Sequence, residues 1–165
     1  MESAAKIKET LQAASTEKLP EFIAEYETDP RSGVQKLVAS ARKKLDALEK
    51  EKQRIENLKR YEREYAQYSY ICGIDEVGRG PLAGPVVAGA VILPKDCHIL
   101  YINDSKQLSE KKREELYDVI TREAVAWAVG YASPKRIDEI NILQATYEAM
   151  REAIGKLTPA PDLLL

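Results

Sequence analysis

The chain has 165 residues, of which 44% are hydrophobic and 32% charged, and its net charge is −2. That composition allows a packed core, argues against disorder throughout, and gives no overall basic bias toward nucleic acid. No apolar run approaches the roughly 20 residues that a membrane helix needs, and the opening MESAAKIKET lacks the apolar segment of a signal peptide, so the sequence reads as cytoplasmic.

Charge is unevenly spread. Residues 1–69 carry +1 and residues 70–165 carry −3, while Lys36 to Arg63 alone carries +5. Residues 1–69 read as helical. Ile7, Leu11 and Ala14 recur at helical spacing, and LPEFIAEYE follows with proline in its first turn. DPRSG is a turn, and then Val34, Val38, Ala41, Leu45, Leu48, Ile55 and Leu58 trace one apolar stripe along a long helix, interrupted by Lys52. Its other faces are charged, with Tyr61, Tyr65 and Tyr68 toward the end. Such a segment can be a solvated bundle helix, a coiled-coil strand, or a basic face laid on a phosphate backbone.

At Tyr70 the pattern changes. YICGID reads as a strand, and VVAGAVIL, Val86 to Leu93, as a buried strand stopped by Pro94; the two form an antiparallel hairpin. NDSKQLS leads into a helix from Ser109 to about Ile120, with Ser109 as N-cap and Glu110 at the positive end of the dipole. AVAWAVGYA is a third strand, with Trp127 expected in the core. Ser133-Pro134 opens a helical turn in which the dipole accounts for Asp138 and Glu139. The helix from Asn141 is amphipathic, with Leu143, Met150, Ile154 and Leu157 on or near one face. TPAP breaks it, and DLLL begins another strand. The fold class is therefore α/β after an all-α segment. Cys72 reads as a buried strand residue and Cys97 with His98 as loop; their spacing fits no zinc site, and a disulfide is not expected in the cytosol.

GIDEVGRGPLAGP, Gly73 to Pro85, carries the chemistry. Asp75 and Glu76 cannot share a face within a regular strand. They converge if the strand stops there, as Gly78 and Gly80 suggest, and two carboxylates that close repel unless a cation intervenes. Mg²⁺ or Mn²⁺ suits oxygen ligands. Gly78-Arg79-Gly80 adds bare backbone N–H groups and a guanidinium, which suit a phosphate. A solvated turn bearing two surface acids is the plainer alternative. A dinucleotide loop is excluded by the glycine spacing, the two prolines and the following strand. Asn103 to Ser109 offers an amide, hydroxyls and Lys106 before a helix N-terminus, either a capped loop or a phosphate clamp.

Together these residues resemble a known family, the type 2 ribonucleases H, specifically bacterial ribonuclease HII. The resemblance lies in GIDEVGRGPLAGPVVAGAVIL, NDSKQLSEKKREELY, IDEINILQA and PDLLL, and covers Tyr70 to Leu165; residues 1–69 resemble, with weaker motifs, an N-terminal extension carried by some members. The resemblance implies a ribonuclease H-like mixed sheet with flanking helices, here incomplete, over residues 70–165. It implies Asp75 and Glu76 as catalytic, metal-binding carboxylates, Gly78, Arg79 and Gly80 as readers of a ribose 2′-hydroxyl, and Ser105 and Lys106 facing the substrate backbone. The implied partners are RNA–DNA hybrid, or duplex DNA with embedded ribonucleotides, met in replication and in ribonucleotide excision repair. The implied reaction is two-metal hydrolysis on the 5′ side of the ribonucleotide with Mn²⁺ or Mg²⁺, by a monomer.

The family also places a third essential aspartate on the strand that PDLLL begins, and a fourth carboxylate and a substrate-reading tyrosine beyond it. Asp162 matches the residue at that strand's start, not the third aspartate. This chain is therefore expected to be a truncated form with little or no catalysis and an under-packed last strand. The competing expectation is a non-catalytic helical module that binds nucleic acid or a partner, attached to a defective nuclease fragment.

Overall fold

The structure is a computed structural model that describes residues 2–81 and 83–165; Leu82, in the middle of the glycine-rich stretch, and Met1 lie outside the described residues. The chain divides into two compact units, Met1–Asn57 and Leu58–Leu165.

The first unit is helical. Helix α1 (Ala4–Ala13) starts behind Ser3, whose hydroxyl accepts from the Lys6 N–H at 3.3 Å. Helix α2 (Leu19–Tyr26) has Pro20 in its first turn, where the missing N–H costs nothing. Helix α3 (Ser32–Leu58) supplies Val34, Val38 and Ala41 to a core shared with Ile7, Leu11, Leu19, Phe22 and Tyr26. The stripe read from the sequence holds through Ile55, but Leu58 is exposed: it is the last helical residue, where the turn sequence leaves it facing solvent. The α2–α3 turn is closed by Arg31, whose Nε donates to Asp29 Oδ1 (2.9 Å) and whose Nη1 donates to the Glu2 carbonyl (2.7 Å). Tyr26 Oη donates to Glu2 Oε2 (2.7 Å), so the start of the chain is tied to this turn.

The second unit opens with a short helix, α4 (Arg60–Glu64), and is built on a four-stranded mixed sheet in the order β3-β2-β1-β4. Strand β1 (Ile71–Val77) pairs antiparallel with β2 (Val86–Ile92), and β2 antiparallel with β3 (Ala126–Ala132). The two-residue strand β4 (Leu163–Leu164) runs parallel to β1. Asp162 fixes that junction: its Oδ2 accepts from the backbone N–H groups of Ser69 (3.0 Å) and Tyr70 (2.9 Å).

Helix α7 (Ile142–Gly155), N-capped by Asn141, covers one sheet face. There the sequence expectation fails in detail. The residues facing the sheet are Ala145, Thr146, Ala149 and Ala153, and Leu143 is exposed. The cause is closeness: a Cβ on Gly130 of β3 would overlap the Ala149 carbonyl oxygen and sit 2.7 Å from the Ala153 nitrogen. A backbone that near admits only small side chains, so the large ones flank the contact, Met150 packed at one side and Leu157 buried at the end. Thr146 is buried with its hydroxyl donating to the Ile142 carbonyl at 2.8 Å. The outward polar groups of edge strand β3 are also met by α7 and the residue after it: Glu152 accepts from the Tyr131 N–H (2.9 Å) and Lys156 donates to the Val129 carbonyl (2.8 Å). Such side chains blunt a sheet edge.

The opposite face is open over much of its area. Trp127, Val129 and Tyr131 project from it and are 44%, 44% and 54% exposed, so Trp127 is not a core residue. Among the described residues its one ring partner is Tyr117 of helix α5 (Glu110–Glu123), edge-on at 6.1 Å. Helix α6 (Pro134–Ile140) packs Ile137 and Ile140 beside α7. Asp138 and Glu139 lie in its second half, so the N-terminal dipole does not account for them; Glu139 instead pairs with Arg136 at 3.0 Å.

Candidate active site at the end of the first strand

Strand β1 positions the carboxylates. Cys72, buried, and Ile74, partly buried, point into the core under α7, and burial holds the Cys72 thiol above its ordinary range. Alternation along the strand then puts Glu76 on that same side and Asp75 on the open side. The expected convergence at a strand end is corrected here. The ladder to β2 continues through Asp75↔Gly89, Glu76↔Ala88 and Val77↔Val87, so β1 ends two residues later than the sequence suggested, and the two carboxylates leave the backbone on opposite sides. The break comes at Gly78, which has a φ of +90°. A Cβ there would overlap the Pro85 carbonyl oxygen, so only glycine closes this turn.

Asp75 is exposed, and Gly89 opposite it has no side chain to screen it. Its Oδ1 accepts from the Glu76 N–H at 2.8 Å. Glu76 is mostly covered and accepts from Arg79 Nη1 at 3.3 Å. The turn thus joins Glu76 to Arg79, two residues that the sequence singled out separately. Gly80 differs from Gly78: nothing lies within 4 Å of the position its Cβ would take, so the fold does not require glycine there. Its bare backbone is open to a ligand's approach.

The second polar cluster is a single 3₁₀ turn, Ser105–Gln107, ahead of α5. Asp104 Oδ1 accepts from the Lys106 N–H at 2.9 Å, and Asn103 Nδ2 donates to Gln107 Oε1 at 3.0 Å. Ser109 is spent as the α5 cap, accepting from the Lys112 N–H. Arg113, which the sequence reading missed, locks the loop: its Nη1 donates to the Leu108 carbonyl (2.7 Å) and the Ser105 carbonyl (3.3 Å). Its signal was an arginine one helical turn past a serine N-cap, within reach of the loop's carbonyls. Ser105 and Lys106 are exposed, and among the described residues no hydrogen bond or ion pair links them to Asp75, Glu76 or Gly78–Gly80.

The donor chemistry suits a hard divalent cation, because Asp75 and Glu76 offer oxygen ligands and Cys72 is turned into the core. Among the described residues, no three Asp, Glu, His or Cys side chains gather as a metal site.

Two family profiles match the sequence: "Ribonuclease HII N-terminal domain" over residues 3–66 and "Ribonuclease HII" over residues 72–164. The chain is 64% identical over 140 residues to ribonuclease HII of Lachnoclostridium phytofermentans, covering 85% of this chain and 55% of that protein. It is 49% identical over 165 residues to ribonuclease HII of Clostridioides difficile (99% and 65%) and 48% identical over 166 residues to that of Listeria monocytogenes serotype 4b (99% and 63%). Among solved structures it resembles the ribonuclease H2 of Pyrococcus horikoshii OT3, with a TM-score of 0.46 and 30% identity over 58% of this chain and 48% of that one. The chain belongs to the ribonuclease HII family. It spans about 55–65% of the length of these curated relatives.

Proposed function

We propose that the protein is an endonuclease of the type 2 ribonuclease H class. It hydrolyses the RNA strand of RNA–DNA hybrids and cuts 5′ of single ribonucleotides in duplex DNA, serving ribonucleotide excision repair and replication in the cytoplasm as a monomer. The observation that carries this reading is the strand-and-turn GIDEVGRG within the stretch matching the ribonuclease HII profile. Residues 70–165 are the catalytic part in this reading and residues 1–69 an extension.

Asp75 and Glu76 would hold Mn²⁺ or Mg²⁺. When bound there, two such ions supply Lewis acidity and charge neutralisation to a phosphodiester. The chain's own residues do the rest. Asp75 stands on an unscreened sheet face that a nucleic-acid backbone can reach. Arg79, held at the turn by Glu76, presents a forked donor to a phosphate. Gly78 fixes the turn and Gly80 leaves backbone bare beside it, suited to reading a 2′-hydroxyl, the group that separates RNA from DNA at one site. Ser105 and Lys106 contact the substrate backbone from the loop that Arg113 pins. In the reaction a water oxygen bonds to phosphorus and the bond to the preceding O3′ breaks. That oxygen takes a proton, leaving a 3′-hydroxyl and a 5′-phosphate.

One observation favours a second reading, a helical binding module joined to a nuclease part that does not cut: among the described residues no three ligand side chains gather. A duplex with one ribonucleotide, incubated with Mn²⁺ or Mg²⁺, separates the two. The nuclease reading expects the chain extended past Leu165 to its relatives' full length to cut 5′ of the ribonucleotide, and EDTA and Asp75→Asn both to abolish that cut. Salt-sensitive binding with no cutting under either metal, unchanged in Asp75→Asn, would give the second reading the protein.

A further inference from the structure

Helix α3 carries a row of lysines on the side away from its core. Lys36, Lys43 and Lys50 recur every seven residues, so they stand nearly in line, within about 40° of one another around the axis. All three are exposed, as are Ser40 and Ala47 between them. Lys44, also exposed, flanks the row. The buried residues Val34, Val38 and Ala41 lie on the far side.

The remaining cations of this stretch are engaged. Arg42 pairs with Glu27 (3.1 Å), Lys52 with Glu49 (2.8 Å) and Arg54 with Glu51 (2.8 Å). Among the described residues, Lys36, Lys43, Lys44 and Lys50 have no ion-pair or hydrogen-bond partner. Asp46, an exposed acid on the helix, sits roughly 60° round from Lys43 and roughly 40° round from Lys50, beside the row. The unit's other acids are Glu49, Glu51 and Glu56, farther round the same helix, and those of α1, α2 and their flanking turns. The first unit is near neutral overall; Lys8 and Lys18 stand singly on other elements, whereas Lys36, Lys43 and Lys50 are aligned on one helix.

We propose that this lysine row is a binding surface for the phosphate backbone of duplex nucleic acid, read without regard to sequence. Three features select that partner. The row spans roughly 21 Å at 1.5 Å per residue, a length over which a duplex presents about a dozen phosphate charges. It is made of lysines separated by small residues, with no aromatic or free arginine, whereas protein interfaces are depleted in lysine and enriched in aromatics and arginine. A membrane surface is a poor match, because the helix's apolar side is used in the unit's own core and cannot insert. The proposal does not depend on catalysis at Asp75.

The test uses the whole chain, an all-DNA duplex of about 20 base pairs and EDTA, so that neither a ribonucleotide nor a metal contributes. Fluorescence anisotropy is measured across a range of KCl concentrations. Lys36→Gln, Lys43→Gln and Lys50→Gln combined are expected to lower the slope of log K against log salt by about one per lysine, equally for unrelated sequences. Lys8→Gln, Lys18→Gln and Lys111→Gln combined, an equal charge change on other elements, should leave most of the slope. Glutamine suits an exposed helix, and an unchanged thermal midpoint by circular dichroism confirms that the fold is intact. Equal loss from both triple variants would reduce the effect to net charge and overturn the proposal. So would an unaltered slope, or tighter binding of polyglutamate than of the duplex, which would point to an acidic protein partner.

Discussion

Gly78 and Gly80 sit two residues apart and do different things. Gly78 is needed by the fold, since its positive φ and the Pro85 carbonyl leave no room for a side chain. Gly78→Ala should therefore destabilise the second unit by at least about 1–3 kcal/mol, the usual cost of a residue forced into such a conformation, seen as a lower urea midpoint. Gly80 stands in open space, so Gly80→Ala should change stability by no more than about 0.5 kcal/mol. If the backbone there meets substrate, the same alanine should raise KM or lower kcat on a single-ribonucleotide duplex. A Gly80→Ala variant that cuts like the parent would remove Gly80 from the substrate surface while leaving Gly78's role untouched. The motif was legible in the sequence because its residue types are so unusual together. The direction of each carboxylate was not, because it depends on where the ladder to β2 stops, and that is fixed by Gly78 rather than by the acids themselves.

Among the elements, α7 and the α2–α3 turn are the most exacting. The sequence located α7 from Asn141, yet hydrophobicity alone pointed to Leu143 where alanines make the contact. Periodicity weighs side chains by size, whereas Gly130 on a distant strand sets the spacing, and no local pattern carries that information. Gly130→Ala should cost about 1–3 kcal/mol or more, as overpacking does, and Ala149→Gly in the same molecule should not rescue it, because the clash is with backbone. At the α2–α3 turn the Arg31 guanidinium and backbone N–H hold the Asp29 carboxyl down to about 2, from an ordinary 3.8. A carboxyl depressed in the folded state stabilises it fully above pH 3.8. As the pH falls, the unfolded chain takes up the proton first, so this contribution shrinks between 3.8 and about 2 and is gone below. Urea midpoints at pH 5 and pH 2.5 should thus differ less in Asp29→Asn than in the parent. An identical drop in both would mean that the ion pair contributes nothing to folding.

The second unit as a body has one covered sheet face and one open one, a division that its strands did not announce. VVAGAVIL is apolar on both alternations, the pattern of a strand buried on two sides, and Trp127 of the next strand was also expected inside. Among the described residues only the α7 side is packed over its length; the other leaves Trp127, Val129 and Tyr131 beside Val77 and Asp75. An apolar area next to an unscreened carboxylate is a surface, and Trp127 reports on it without ambiguity because the chain has one tryptophan. Its emission should lie toward the red, as for a hydrated indole, and acrylamide should quench it readily. Trp127→Thr should cost about 0.5–1.5 kcal/mol, the worth of its edge contact with Tyr117, rather than the 3–5 kcal/mol of a core tryptophan. Circular dichroism follows that unfolding without needing the indole. A blue, unquenchable emission with a loss near the larger figure would mean that this face is covered in solution, and Asp75 would then have to act from beneath whatever covers it.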